Sequence, residues 1–220
     1  MDTPEYSALS QLVKDPYFGK RLVFFRNESE ADFLRSWLSA EKKKDAAPLL
    51  MADLPELGSF VKNCSKCGAA FNKKNGIGSG KNGLMVVLHS PLMIGREIQL
   101  YRKESSDMLK RIISAMNLSF GECYITNMIK CESADLLVKP SEMITNCLSL
   151  LEKELDLLKP KIVVVMGEIH PLQKIVNASR GVFWFDIAHP LSMVKNPELK
   201  RDAWGTLKKI IAKMKESEIV

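Results

Sequence analysis

The 220-residue chain is 46% hydrophobic and 26% charged, values that exclude a disordered or fibrous protein and allow one well-buried domain with an appendage. Its formal net charge of +6 and pI of about 9.0 favour an anionic partner. No stretch approaches the ~18 apolar residues of a membrane span. The opening MDTPEYSALSQL carries acids where a secretory signal would be apolar, so the chain is read as cytoplasmic, with its five cysteines reduced.

Residues 1–45 read apart from the rest. RLVFF (21–25) has the character of a short strand, and a helix follows from a cap at Ser29 through Phe33, Leu34, Trp37 and Leu38 to the lysines at 42–44. A second helix is expected over 53–63. CSKCGAAFNKKNGIGSGKNG then forms a loop, with no acidic residue between 61 and 83. LMVVLH (84–89) reads as a buried strand stopped by Ser90-Pro91. The 3.6-residue period of 105–118, with Met108, Ile112, Ile113 and Met116 on one side, predicts a helix.

ECYITNMIKC (122–131) reads as a strand entering a polar loop, and PSEMITNCLSLLEKELDLLKP as a helix between Pro140 and Pro160. KIVVVMG (161–167) is a strand, 168–178 a helix, VFWFDIAHP (182–190) a fourth strand, and about 197–216 a closing basic helix. Strands alternating with helices imply a parallel sheet covered on both faces. Right-handed crossovers then bring His89-Ser90-Pro91, Thr126-Asn127 and His189-Pro190 to one edge, where such sheets place their sites.

Cys64-x-x-Cys67 is a chelating turn whose spacing suits zinc, a redox pair or an iron–sulfur centre. No thioredoxin-like strand–helix pattern follows it, which disfavours the redox pair. Cys131 and Cys147 have fifteen residues between them, one after a strand and one inside a helix, rather than forming a second tight pair. Four thiolates on separate elements suit a 4Fe–4S cluster, but spacing alone leaves zinc and iron–sulfur open. Cys123, within a strand, reads as a small buried residue.

The Cys-x-x-Cys pair with its Gly-rich turn, Tyr124-Ile125-Thr126-Asn127 running into Lys130-Cys131, Cys147 after a proline-started helix, and HPLSMVKNPELKRDAW (189–204) occur in this order. Together they resemble the iron–sulfur uracil-DNA glycosylases, the thermostable or family 4 branch, over about residues 53–216. The resemblance implies a three-layer α/β/α fold with a central parallel four-stranded sheet over 46–220, preceded by an extension, 1–45, of unassigned role. It implies a 4Fe–4S cluster on Cys64, Cys67, Cys131 and Cys147, zinc being the alternative. It also implies a monomeric DNA-repair enzyme that flips uracil or another deaminated base out of DNA and hydrolyses its N-glycosidic bond.

By the same resemblance His189 stabilises the departing base anion, and Asn127 reads the base edge with an amide that donates and accepts at once. The family's first motif, Gly-Glu-Ala-Pro-Gly, is here Leu88-His89-Ser90-Pro91-Leu92: the proline stays, while the water-activating acid and both glycines are gone. His89 stands where that acid would act and is a candidate base, with Ser90 a candidate substrate contact. In QLYRKESSD (99–107) only Tyr101 offers a ring in place of the family's stacking phenylalanine. Lys73, Lys74 and Lys81 in the Gly/Lys loop, with Arg180, Lys195, Lys200 and Arg201, are candidate DNA contacts. The altered motif keeps a second reading open, a catalytically impaired member that binds DNA or a protein partner.

Overall fold

The four apolar runs form one parallel sheet: β1 (Leu84–Leu88), β2 (Tyr124–Asn127), β3 (Ile162–Met166) and β4 (Phe183–Ile187), in the order β2-β1-β3-β4. In the central pair Met85 stands opposite Val163, and Val86 opposite both Val164 and Ile125. The structure is a computed structural model and describes residues 14–15, 19–20, 51–68, 70–89, 101–133, 140–217 and 219. The chain divides into two compact units, Met1–Pro48 and Leu49–Val220. In the first, Lys14–Asp15 pairs antiparallel with Gly19–Lys20. The strand expected at 21–25 and the helix from 29 to 44 lie outside the described residues.

The helices of the second unit are α1 (Leu54–Asn63), α2 (Arg102–Ala115), α3 (Pro140–Leu158), α4 (Gln173–Ala178), α5 (Pro190–Lys195) and α6 (Leu199–Glu216). Alternation along the strands sorts them into two layers. Leu84, Val86, Ile162, Val164 and Met166 face Ile112 and Ile113 of α2, Met116 at its C-cap, and Leu207, Ile210 and Met214 of α6. Met85, Val87, Val163 and Val165 face Leu151 and Leu155 of α3 and Ile175 of α4. All five residues of β3 are completely buried, which explains its unbroken apolar run. This is the three-layer α/β/α architecture expected from the sequence.

α1 starts where Asp53 Oδ1 accepts the Glu56 N–H at 2.8 Å and Glu56 reciprocally accepts the Ala52 N–H at 2.7 Å. Its Leu57 and Val61 pack on Leu150 of α3. The chain leaves β1 for one side of the sheet and β3 for the other. The switch point therefore falls between these two strands, and the carboxyl side of the sheet is where such folds hold ligands.

Three elements depart from the sequence reading. Within 122–131 the strand occupies Tyr124–Asn127 before the expected loop, and beyond it Glu132–Ser133 pairs antiparallel with Ala70–Phe71, a pairing the sequence did not indicate. The helix expected at 168–178 is a 3-10 turn, His170–Leu172, followed by α4. The strand expected to reach Pro190 ends at Ile187, because His189-Pro190 opens α5.

Candidate active site and cysteine cavity

A cavity of about 250 Å³ borders the carboxyl ends of β1 and β2, and Leu88, Asn127 and His189 share its wall. Asn127 is the last residue of β2. His189 arrives from the opposite edge strand because α5 packs across α2. Pro190 has no N–H, so the first free donor of α5 is the Leu191 N–H, and His189 Nδ1 caps it at 3.1 Å. An Nδ1 that accepts carries no proton, so the neutral ring bears its proton on Nε2. His189 is 6% exposed. Burial, with a further push from His89, lowers its pKa to about 4, so the imidazole stays neutral at physiological pH.

His89, just past β1, does not line this cavity. Its N–H donates to the Met166 carbonyl at 3.0 Å, and its Nδ1 lies 3.0 Å from the Glu168 carbonyl oxygen. A carbonyl only accepts, so in this contact His89 Nδ1 carries a proton and donates it. Ser90 lies outside the described residues. Tyr101 caps the start of α2 away from the cavity wall, its ring 5.6 Å from Lys195 Nζ. The aromatic side chain in the wall is Phe120, in the turn before β2, accompanied by Asn75 and Arg102. Sequence reasoning missed all three, since they come from a turn, a loop and a helix start that only tertiary packing brings together.

The candidate DNA contacts do not form one surface. Lys81 precedes β1 and Arg180 precedes β4, so in a parallel sheet both lie at the amino edge, opposite the cavity. Lys74 pairs with Glu132 at 3.0 Å, and the Lys73 amine donates to the Cys64 carbonyl. Lys195, Lys200 and Arg201 are exposed where the His-Pro segment runs through α5 into α6.

Cys64, Cys67, Cys131 and Cys147 line a second, smaller cavity, together with Lys73, Lys130 and Asn146. The short pairing of 70–71 with 132–133 draws the Cys-x-x-Cys turn against Cys131, and α3 supplies Cys147. Cys67, Cys131 and Cys147 are buried. Asn146 Nδ2 lies 3.5 Å from the Cys67 sulfur, and the Lys130 N–H lies 3.5 Å from the Cys147 sulfur. Burial, then Cys147 and Cys67, raise the Cys131 thiol to about 11, and burial also raises Cys147, so these two thiolates need a cationic centre beside them. Among the described residues no three His, Cys, Asp or Glu side chains are gathered for a single metal ion. The donor set fits a larger iron–sulfur cluster, in which each thiolate binds its own iron. Cys123 stays apart, in the core beside α2.

Buried behind β2, Glu154 of α3 accepts from Tyr124 and Thr126, both at 3.0 Å, and pairs with Lys130 at 2.6 Å. This pair braces the turn between Asn127 and Cys131. No described helix is long and apolar enough to cross a membrane.

Fold and cavities define the class: a three-layer α/β/α protein with its site at the carboxyl edge of a parallel sheet and a four-thiol cavity beside it. A family model described as the uracil DNA glycosylase superfamily matches residues 61–208, more than half of the chain. The chain belongs to the uracil DNA glycosylase superfamily. It is 28% identical over 121 residues to the type-4 uracil-DNA glycosylase of Pyrobaculum aerophilum, covering 53% of this chain and 62% of that protein, just under two thirds of its length. It is 25% identical over 171 residues to the type-4 uracil-DNA glycosylase of Archaeoglobus fulgidus, covering 74% of this chain and 80% of that one.

Proposed function

We propose that this chain is a DNA glycosylase that excises uracil, or another deaminated base, from DNA. The observation that carries the reading is the meeting of Asn127 with a neutral, Nε2-protonated His189 in one base-sized cavity. Its volume of about 250 Å³ lies below the ~300–1,000 Å³ of pockets for larger ligands. In this reading the nucleotide leaves the helix and its base enters the cavity beside Phe120. Asn127 pairs with the base edge, and the His189 Nε2–H donates to the oxygen on which negative charge gathers as the glycosidic bond breaks. Water completes the reaction at the sugar carbon, and His89, which stands in place of the family's acid but outside the cavity wall, is the candidate base.

Cys64, Cys67, Cys131 and Cys147 would hold a 4Fe–4S cluster, which ties the Cys-x-x-Cys turn, the end of β2 and α3 together. Lys195, Lys200 and Arg201 would meet the phosphates on the cavity side, while Lys81 and Arg180 are left out by their position at the amino edge. A second reading, DNA binding without excision, is favoured by the position of His89 outside the cavity wall. Anaerobically purified, cluster-loaded protein on uracil-containing oligonucleotides separates the two. Base release that falls about 10²–10³-fold in His189→Ala supports the glycosylase, whereas binding without release supports the second reading.

A further inference from the structure

We infer that the outer face of α6 is a track for single-stranded DNA, with Trp204 as the platform on which one unpaired base stacks. The inference goes beyond base excision and takes from that reading only DNA as the partner. Trp204 is 48% exposed, although Ala203 before it and Leu207 after it are buried. A lone exposed apolar side chain is ordinary on a protein surface, but here the neighbours are cations and a glycine. The helical turn puts Arg201 three residues before the ring and Lys208 four residues after it, with Lys215 two turns further along the same stripe. All three are exposed, and Lys208 Nζ lies 5.9 Å from the indole centroid. The core-facing Ala203, Leu207, Ile210 and Met214 occupy the other side of the helix, and its two acids, Asp202 and Glu216, fall off the stripe. Glu216 is held by Lys213 at 2.7 Å, and among the described residues no carboxylate pairs with Arg201, Lys208 or Lys215.

Gly205 adds a second observation on the same exposed surface. Glycine weakens a helix interior relative to alanine, and packing does not call for it here, since a Cβ at 205 would meet nothing within 4 Å. Its bare backbone leaves room beside the indole for a flat ring to come close. The platform also lies towards the edge that carries Asn127 and His189. β4 delivers the chain to the carboxyl edge at Ile187, whereas α6 ends at the amino edge, where Lys161, just before β3, donates from Nζ to the Ser217 carbonyl at 2.7 Å. Trp204 stands about 8 Å along α6 from its start, at ~1.5 Å per residue, and so in its first half. Cations in a row with an aromatic among them hold a single strand without reading its sequence, because every base has a π-face. The bases of a duplex already stack on one another, so the ring gains little there. A second copy of this chain on the same face would set cation against cation.

The test measures binding of a labelled thymidine oligonucleotide, which contains no uracil, and of a mixed-sequence duplex of the same length, by fluorescence anisotropy at several salt concentrations. The cluster-loaded protein is compared with Trp204→Ala, Trp204→Phe and Lys208→Gln. All three changes fall on exposed side chains, so the variants should keep the melting temperature of the unaltered protein. Trp204→Ala should weaken single-strand binding about tenfold, the loss expected of one base–aromatic stack, and duplex binding less than about threefold. Trp204→Phe should restore most of the difference. Lys208→Gln should flatten the single-strand salt slope by about 0.7, the share of one phosphate. The oligonucleotide should also quench the indole emission of the unaltered protein, and most of that quench should be lost in Trp204→Ala. Equal losses on single strand and duplex, an affinity and quench that Trp204→Ala leaves unchanged, or no binding of the thymidine strand would each overturn the platform. Base release plays no part in these readouts, so the glycosylase reading and the platform can each fail while the other stands.

Discussion

Replacing Lys130 with methionine strips Glu154 of its ammonium partner while leaving the Tyr124 and Thr126 hydroxyls to share the carboxylate. Lys130 and Glu154 are each 2% exposed, and their charged atoms lie 2.6 Å apart. Burial lowers the pKa of Lys130 against the pull of Glu154, so the ammonium depends on the carboxylate to stay charged. Removing one partner of such a pair costs about 3–5 kcal/mol, because the remaining charge is left uncompensated. Glu154→Leu should cost more, since it also strands the Tyr124 and Thr126 hydroxyls. The double variant Lys130→Met/Glu154→Leu removes both charges and leaves two hydroxyls without an acceptor, at about 1–3 kcal/mol each for a fully stranded group. It should therefore be far less destabilised than the sum of the single variants, a coupling that a double-mutant cycle measures. Urea unfolding followed by circular dichroism, at matched cluster content, gives the four free energies. Because Lys130 sits between Asn127 and Cys131, the single variants should also lose iron and base release together. Additive costs, or single variants within about 1 kcal/mol of the unaltered protein, would refute the view of the pair as a brace.

His189 should keep a neutral ring well below its ordinary pKa. Folded, it protonates only near pH 4, whereas the unfolded chain takes up the proton near ~6.5. Stability should therefore fall as pH drops through that window, by about 3 kcal/mol in all, and its ring resonances should stay flat from pH 8 to about 5. A ring that titrates near 6.5 would contradict the buried, capped geometry. Asn127→Ala should cut base release by about tenfold or more while leaving binding to abasic DNA nearly intact, since it removes a base-edge contact; the two are read by single-turnover assay and fluorescence anisotropy. Cys147→Ser should abolish the brown absorption near ~400 nm expected of thiolate-ligated iron, whereas Cys123→Ser should keep it; iron content measured on both variants decides the ligand set. Charge reversal at Lys200 and Arg201 should weaken duplex binding and flatten its salt dependence, while the same change at Lys81 should leave the slope unaltered, as read from titrations at several salt concentrations.

The two central strands were legible because they are buried on both sides. The runs at 84–88 and 162–166 carry no polar residue, and turn signals bound them. The three strand ends at 89, 127 and 189 were legible through parallel topology, and the four cysteines through spacing and motif order. The short segments were not. The pairing of 70–71 with 132–133 involves two residues a side, too few for any period, and its effect is felt only through the cysteines it brings together. α5 is six residues long and opens on a His-Pro that also reads as a strand end. Phe120, Asn75 and Arg102 reach the cavity from a turn, a loop and a helix start, so only tertiary packing makes them neighbours. Tyr101 shows the converse: an aromatic at the expected place in the chain whose ring turns towards Lys195.

The most direct test of the account is the release of free uracil from a single-stranded oligonucleotide by cluster-loaded protein at neutral pH. The account predicts release, and a loss of about 10²–10³-fold in His189→Ala with the cluster spectrum unchanged. Binding of the oligonucleotide with no free base, or release that His189→Ala leaves intact, would contradict it.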